Sequence, residues 1–588
     1  MNRSEIGVVQ TVNAAQAMNG VIALSTVRWL AITLGVVYGA AFCFLALGVV
    51  NVWAAYDGAV ALTRFLLIVA GVATLLAASW LGGRLTLPTT ARTLSVMSSL
   101  LMIGVAVLYG LWRVGGADTW LPVAISDNQV AQFLAMALPI NLATLWLALR
   151  ERWVLPAGLG GLALLSGVAV LVLSGSRGAG LGLVGAMVIA GYFWLRTVVR
   201  RRTQRRTTVI WFMDGAMLLL VVAAITLFAM VVASPSLDAQ LGISAMGGSA
   251  FSRIDLWRNS LPLIDDYFFT GSGLGTAAMV YATYAYLLHV PYLFHAHNFY
   301  LQLGLEQGVP ALLAWLLMIG ALFGYAAPLL RFADEMGRTL LLGGIAAVTA
   351  GLVHGLFEAD LYYSGLASLF FVAPAALLWC AATVAATVTD AADDDAAPTL
   401  TSVFGVAMGV ALPLALAVAV PGAPAHWEAN LGAVQQTRVE LSLYHRPEWS
   451  FQDQVRLMKP QLLTPAEALF IAAMTLDPTQ PTAHRRMGAI LLARSELARA
   501  QEHLAAAYAV APYDRATRQL LGEVLALQGN VGRAVQIWQG LDVSQGQFMV
   551  REWWWQAYGQ PEQVEKLNDA IQAFQRANER ASSGGANQ

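Results

Sequence analysis

Five stretches of a very apolar sequence hold the residues that could do chemistry. SGSRGAG at 174–180 sets Arg177 among glycines and serines. Small neighbours free backbone N–H groups and let an anion come close, whereas an arginine at a membrane boundary can also do no more than snorkel to headgroups. FSRIDLWRNSLPLIDDYFF at 251–269 puts Phe251, Ile254, Trp257, Leu261, Ile264 and Phe268 on one stripe at helical spacing, with Arg253 and Arg258 on its borders. This pattern predicts an amphipathic helix lying on the membrane surface, its arginines meeting either a ligand or anionic headgroups. GSGLG at 271–275 has the look of a phosphate-cradling loop, but no strand precedes it and no crossover helix follows, so a tight turn is expected. FHAHNFYLQLGLEQG at 294–308 holds His295 and His297, which diverge on a helix and have no third ligand nearby in sequence, so no metal centre is expected. His297 and Asn298 at the mouth of an apolar run, with Glu306 about two turns deeper, read as a polar site sunk into the membrane face; a helix-capping histidine is the plainer alternative. HGLFEADLYY at 354–363 adds His354, Glu358 and Asp360 at another helix end.

Lipid is the solvent for the elements that position these residues. Of 588 residues 58% are hydrophobic and 12% charged, with mean hydropathy +0.61, a balance that a soluble surface does not tolerate. A formal net charge of −1 gives no basic field for nucleic acid. Crossing a bilayer takes about 20 helical residues. That window predicts eleven spans, near 27–50, 63–82, 94–112, 128–149, 153–174, 179–198, 209–233, 309–328, 339–357, 365–388 and 401–420. RTVVRRRTQRR, with six arginines from Arg196 to Arg206, marks a cytoplasmic loop, and Arg84, Arg92, Arg150, Arg152, Arg331 and Arg338 fall on the same side by alternation. The acidic loop 390–397 shares that side, which the orientation rule tolerates because acidic residues count for little. The loops 51–62, 113–127, 175–178, 234–297 and 358–364, and everything after 420, then face outward. All five chemical stretches share that outer face.

Residues 1–26 lack a cleavable signal pattern and read as an N-terminal segment before a retained first anchor. The membrane domain is expected over 27–420 with the large loop 234–297, a linker over 421–463, helical repeats over 464–575 and a disordered tail over 576–588. Gly488 recurs as Gly522, Ala500 as Ala534, Leu504 as Trp538 and Pro478 as Pro512, each 34 residues on, and Ala466 and Phe470 match one step back. A 34-residue period with small residues at the helix contact resembles the tetratricopeptide repeat. Cys43 and Cys380 lie in apolar runs and suggest neither disulfide nor metal.

The order SxSRGA, RxxxW, GxGxG, HNxxLQxxxExG and a late histidine near an outer helix end is similar to the O-antigen ligase family, which includes O-antigen polymerases and bacterial O-oligosaccharyltransferases. Here it is carried by SGSRGAG, RIDLW, GSGLG, HNFYLQLGLEQG and HGLFEAD, over residues 170–365. The resemblance implies an all-α, glycosyltransferase type C-like membrane bundle in a bacterial inner membrane, with the repeat domain extracytoplasmic. It also implies a polyprenyl-diphosphate-linked glycan donor, a glycan, lipid or protein acceptor, and neither cofactor nor metal. On it, Arg177 and Arg253 stabilise the leaving diphosphate and His297 takes the acceptor proton. Arg258, Asn298, Glu306, His295 and His354 bind or orient substrate. The repeat domain would hold glycan, acceptor or a protein partner. A lipid-linked glycan flippase and a non-catalytic assembly factor are the competing readings.

Overall fold

The computed structural model of the chain describes residues 3–115, 126–202, 207–233, 249–291, 293, 295–389, 398–442, 451–541 and 545–585. Every regular element among them is helical. In chain order come α1 (Arg3–Ala54), α2 (Gly58–Gly82), α3 (Leu87–Gly115), α4 (Asp127–Arg150), α5 (Val154–Ser174), α6 (Arg177–Arg202) and α7 (Thr207–Ala233). Two shorter helices follow, α8 (Ser249–Asp266) and α9 (Ala277–Tyr284), and then α10 (Phe299–Leu329), α11 (Glu335–Gly355), the single turn α12 (Asp360–Tyr363), α13 (Val372–Thr389) and α14 (Pro398–Val418). Eleven of these helices are long and apolar enough to span a membrane, as expected from the window reading. The first part of the long outer loop, 234–248, and the acidic loop 390–397 lie outside the described residues.

Sequence explains why the bundle closes. Without a hydrophobic drive between helices in lipid, small residues must bring backbones together. At the α1–α14 crossing a Cβ on Gly39 would lie 2.2 Å from the Val406 carbonyl oxygen, and one on Gly35 2.4 Å from that of Ser402. On α11, Gly343 meets Ala143 of α4, and Gly351 meets Met136. Helices α4, α11 and α13 are mostly buried, while α7 keeps its apolar side chains outward. The ends that carry the chemical stretches gather at one end of the bundle: the start of α4, the turn between α5 and α6, the start of α10 and the end of α11. The arginine-rich connections lie at the other.

The C-terminal part is a stack of helix pairs. It comprises α15 (Ala423–Ser442), α16 (Gln452–Met458), α17 (Pro460–Leu476), α18 (Pro481–Ala493), α19 (Leu497–Val510), α20 (Arg515–Leu527), α21 (Val531–Trp538), α22 (Gln545–Tyr558) and α23 (Pro561–Gly585). The residues that recur after 34 positions make the contact inside each pair: a Cβ on Gly488 would meet Leu504 at 2.6 Å, and one on Gly522 would meet Trp538 at 2.1 Å. Gly432 meets Phe470 in the same way, at 2.6 Å. So the segment expected as a linker, 421–463, supplies α15, the first helix of the first pair. It escaped the periodicity because residues 443–458 interrupt the 34-residue step. Residues 576–585, expected as a disordered tail, continue α23.

This stack packs on the α8–α9 segment of the membrane domain through buried charge. Asp266, fully buried at the end of α8, accepts from Arg486 Nε (3.0 Å) and Nη2 (2.6 Å), from Thr482 (2.8 Å) and from Arg485. Arg486 also donates to the Tyr267 hydroxyl (2.9 Å) and lies 3.6 Å from the centre of the Tyr284 ring. Arg515 donates to the Ala285 carbonyl (3.0 Å), and Asn430 accepts from the N–H groups of Phe269 and Thr270. Burial alone would raise the Asp266 carboxyl, but the Arg485 and Arg486 charges hold it below the usual carboxylate range.

Candidate functional site

The α10 N-terminus sets the centre of the site. Asn298 is its N-cap, accepting from the N–H of Tyr300 (3.0 Å) and Leu301 (3.1 Å) and donating to the Leu356 carbonyl (2.9 Å). That tie joins the start of α10 to the chain just past α11. Gln302 accepts the Ala296 N–H (2.9 Å), and Trp257 of α8 donates to the Ala296 carbonyl (3.1 Å). His297, held between these anchors, adopts φ 49°, the left-handed region that a β-substituted residue enters at a cost of about 1–3 kcal/mol. Such strain persists where the surroundings over-determine it, and the turn aims the imidazole at one carboxylate.

That carboxylate is Glu358, with its side chain 3% exposed. Its oxygens lie 3.1 and 3.2 Å from His297 Nδ1 and 3.3 Å from His295 Nδ1. They accept from Asn128 Nδ2 (2.9 Å) and from the Ala359 N–H (3.0 Å), and Arg253 Nη2 stands 3.7 Å away. His295 Nε2 lies 3.2 Å from Asp360, which also accepts from the Ser126 hydroxyl. Burial would raise Glu358, but the His297 hydrogen bond and the two imidazoles outweigh it and hold the carboxyl below its ordinary range. Asp360 is likewise lowered, burial being overcome by His295 and Ser126. Burial would lower His295, but its bond to Asp360 and the charges of Glu358 and Asp360 raise it above its ordinary value.

These shifts fix a pH window. A raised imidazole contributes stability that is complete below its unfolded value, about 6.5, and lost as pH rises through the folded value. The lowered carboxylates contribute above their unfolded values, about 4, and fail in acid. The thermal-midpoint gap between the native protein and His295→Asn in detergent is therefore expected to be largest near pH 6 and to shrink toward pH 9. A gap constant across that range would mean that the protonated ring contributes nothing.

The structure brings three of the expected residues, His295, His297 and Arg253, to one carboxylate. His354, at the end of α11 one turn before Glu358, is buried with neither ring nitrogen hydrogen-bonded among the described residues. Its ring packs under α6, where a Cβ on Gly178 would lie 3.4 Å away. Arg177, the residue before, is thereby carried to the rim of the site, with its side chain exposed and no ion pair among the described residues. Arg258 pairs with Asp255 on its own helix (3.3 Å). Asn298 caps the helix that presents His297. Glu306 lies away from the histidines and accepts the Ala277 N–H (3.2 Å) at the start of α9. The GSGLG turn closes over it, with the Ser272 and Gly273 N–H groups donating to the carbonyls of Leu305 and Glu306 (2.8 and 3.0 Å). Gly271 and Gly273 take positive φ there, and a Cβ on Gly271 would lie 2.2 Å from the Glu306 carbonyl oxygen. The tight turn expected from sequence is what forms.

Residues 161–316 match the O-antigen ligase family. This central part of the chain is therefore similar to that family. No curated protein sequence gives a significant match. The matched residues supply Arg177, Arg253, Arg258, His295, His297, Asn298 and Glu306, and the helices α5 to α8 and α10 that position them. The match supports a membrane glycan-transferring enzyme in general, in keeping with the eleven helices long and apolar enough to span a membrane. Glu358, Asp360, Ser126 and Asn128, which complete the cluster, lie outside it. Sequence showed Glu358 and Asp360 only as acidic residues at a helix end. Their pairing with His295 and His297 joins positions about 60 residues apart, which no local pattern contains.

No third ligand stands near the two histidines in sequence, yet the fold provides one: ligand atoms of His295, His297 and Glu358 lie within 4.8 Å of one another. By residue type such a trio can hold a divalent cation. In the geometry as it stands, each imidazole is hydrogen-bonded to a carboxylate, and Arg253 lies beside the shared one.

Proposed function

We propose that the chain transfers a glycan from a polyprenyl-diphosphate donor to an acceptor hydroxyl, at the bundle end that faces the periplasm in a bacterial inner membrane. The His297–Glu358 pair with Arg253 beside it carries this reading. Glu358 accepts the His297 Nδ1 proton, leaving Nε2 as the basic nitrogen on a side chain 31% exposed. The acceptor oxygen attacks the anomeric carbon, the bond to the diphosphate oxygen breaks, and the acceptor proton passes to Nε2. A neutral His297 is thus the working form, and its imidazolium is stabilised by the buried carboxylate. Charge growing on the leaving diphosphate is met by Arg177 and Arg253, whose planar forks suit phosphate oxygens and cannot be deprotonated. Displacement in line inverts the anomeric centre, and the products are the glycosylated acceptor and polyprenyl diphosphate. The arginines thus take the part that a metal ion plays in other glycosyl transfers. A growing polysaccharide, a lipid core or a protein could each supply the acceptor hydroxyl, and the repeat domain docked beside the site is the element to hold it.

His297→Ala and Arg177→Ala are each expected to abolish transfer in cells while leaving expression and membrane insertion unchanged. Normal product from either variant removes that residue from the mechanism.

The His295, His297 and Glu358 cluster supports a second reading, in which a divalent cation occupies it. Transfer by purified protein is expected to be indifferent to EDTA, because the pair works as a hydrogen-bonded base. Loss of activity on chelation with recovery on adding zinc or manganese would replace the base with a metal ligand set.

A further inference from the structure

At the bundle end opposite the site, a cavity of about 210 Å³ opens between α6 and α10. Three cations converge on it from segments distant in sequence: Arg196 and Arg200 of α6, and Arg331 of the turn after α10. The carboxylate beside Arg196 is already committed to it. Asp214 of α7 takes Arg196 Nε and Nη2 in a two-point pair, 2.7 Å each, and accepts the Tyr192 hydroxyl as well. Arg200 and Arg331 make no ion pair among the described residues. Partial burial, then the neighbouring Arg200 and Arg196 charges, push the Arg331 guanidinium below its ordinary range. The cavity is therefore lined by positive charge in excess of its one paired carboxylate, with Arg200 and Arg331 exposed at its edge.

Its other walls are Phe193, Ala327 and Leu330, with Thr197, whose hydroxyl donates to the Phe193 carbonyl (2.8 Å). Trp194 and Leu195 face outward next to it, 57% and 47% exposed, on a helix surface that only acyl chains would cover. Phosphate chemistry answers the arginines, and an acyl chain answers the adjoining surface; one molecule has both. We propose that this cavity binds the phosphate of an anionic phospholipid, with its chains laid along α6 and α10. By the positive-inside reading this is a lipid of the cytoplasmic leaflet. The inference stands apart from the transfer chemistry at the other end.

Purified, delipidated full-length protein titrated with phosphatidylglycerol, phosphatidylcholine or inorganic phosphate, read by native mass spectrometry and thermal midpoint, tests it. Phosphatidylglycerol is expected to be retained and to raise the midpoint, and phosphatidylcholine or millimolar phosphate to do neither. Arg200→Gln/Arg331→Gln should weaken retention about tenfold or more, through loss of charge-assisted hydrogen bonds. Ala327→Phe, which fills the cavity and removes no charge, should do the same. Arg84→Gln, at the same end but stacked on Trp80 outside the cavity, should not. Equal retention of both lipids, or unchanged retention by Ala327→Phe, overturns the proposal. Saturation by inorganic phosphate alone would assign the cavity to the free anion instead.

Discussion

Glu358→Gln is expected to lower the transfer rate by about 10³–10⁴-fold, the scale seen when the carboxylate that orients a catalytic histidine is made an amide. The reason lies in what surrounds it. Asn128, the Ala359 N–H, Arg253 and the two imidazoles all turn toward the two oxygens. An NH₂ in place of one oxygen would face donors, so the ring of His297 must turn away or change tautomer. Glu358→Asp withdraws the carboxylate by one methylene and should retain part of the rate. Initial rates on one lipid-linked donor, with thermal midpoints of the same preparations, check this. A Glu358→Gln enzyme that is as stable and as fast as the native one would show that the base needs no carboxylate.

Asp266→Asn should have the largest effect on stability. It leaves Arg485 and Arg486 without the buried charge that both engage, and breaking a buried pair in this way costs about 3–5 kcal/mol. The repeat stack should then separate from α8 and α9 and become cleavable by protease at concentrations that leave the native protein intact. Transfer should fall with it, since α8 carries Arg253 and, through Trp257, braces the His297 turn. Arg486→Ala should behave alike. Unchanged midpoint and protease resistance in Asp266→Asn would mean that the stack is held by its apolar contacts alone.

How much of this was legible in the sequence follows from the distance over which each feature is written. The spans were legible because hydropathy over twenty residues is a local sum, and the motifs around Arg177, Trp257 and His297 because each is contiguous. The 34-residue step was visible in Gly488 and Gly522, which touch Leu504 and Trp538 inside their own pairs. Gly432 was hidden because an insertion separates it from Phe470. Glu358 and Asn128 were hidden more deeply, since they meet only when the start of α4 and the end of α11 close on one another. The contact of Glu306 was hidden for a related reason: its partner is the Ala277 N–H of another element, 29 residues back in the chain.

The central claim is that the site breaks and forms glycosidic bonds, and one measurement addresses it most directly. Purified protein in detergent, given a defined polyprenyl-diphosphate oligosaccharide and an acceptor hydroxyl with no compartment between them, should yield product whose mass equals acceptor plus glycan. Tandem additions on the lipid would mark a polymerase, and a single block on another molecule a ligase. Absence of any such product from native protein that nonetheless moves the same lipid across a vesicle membrane would contradict the account and identify a flippase.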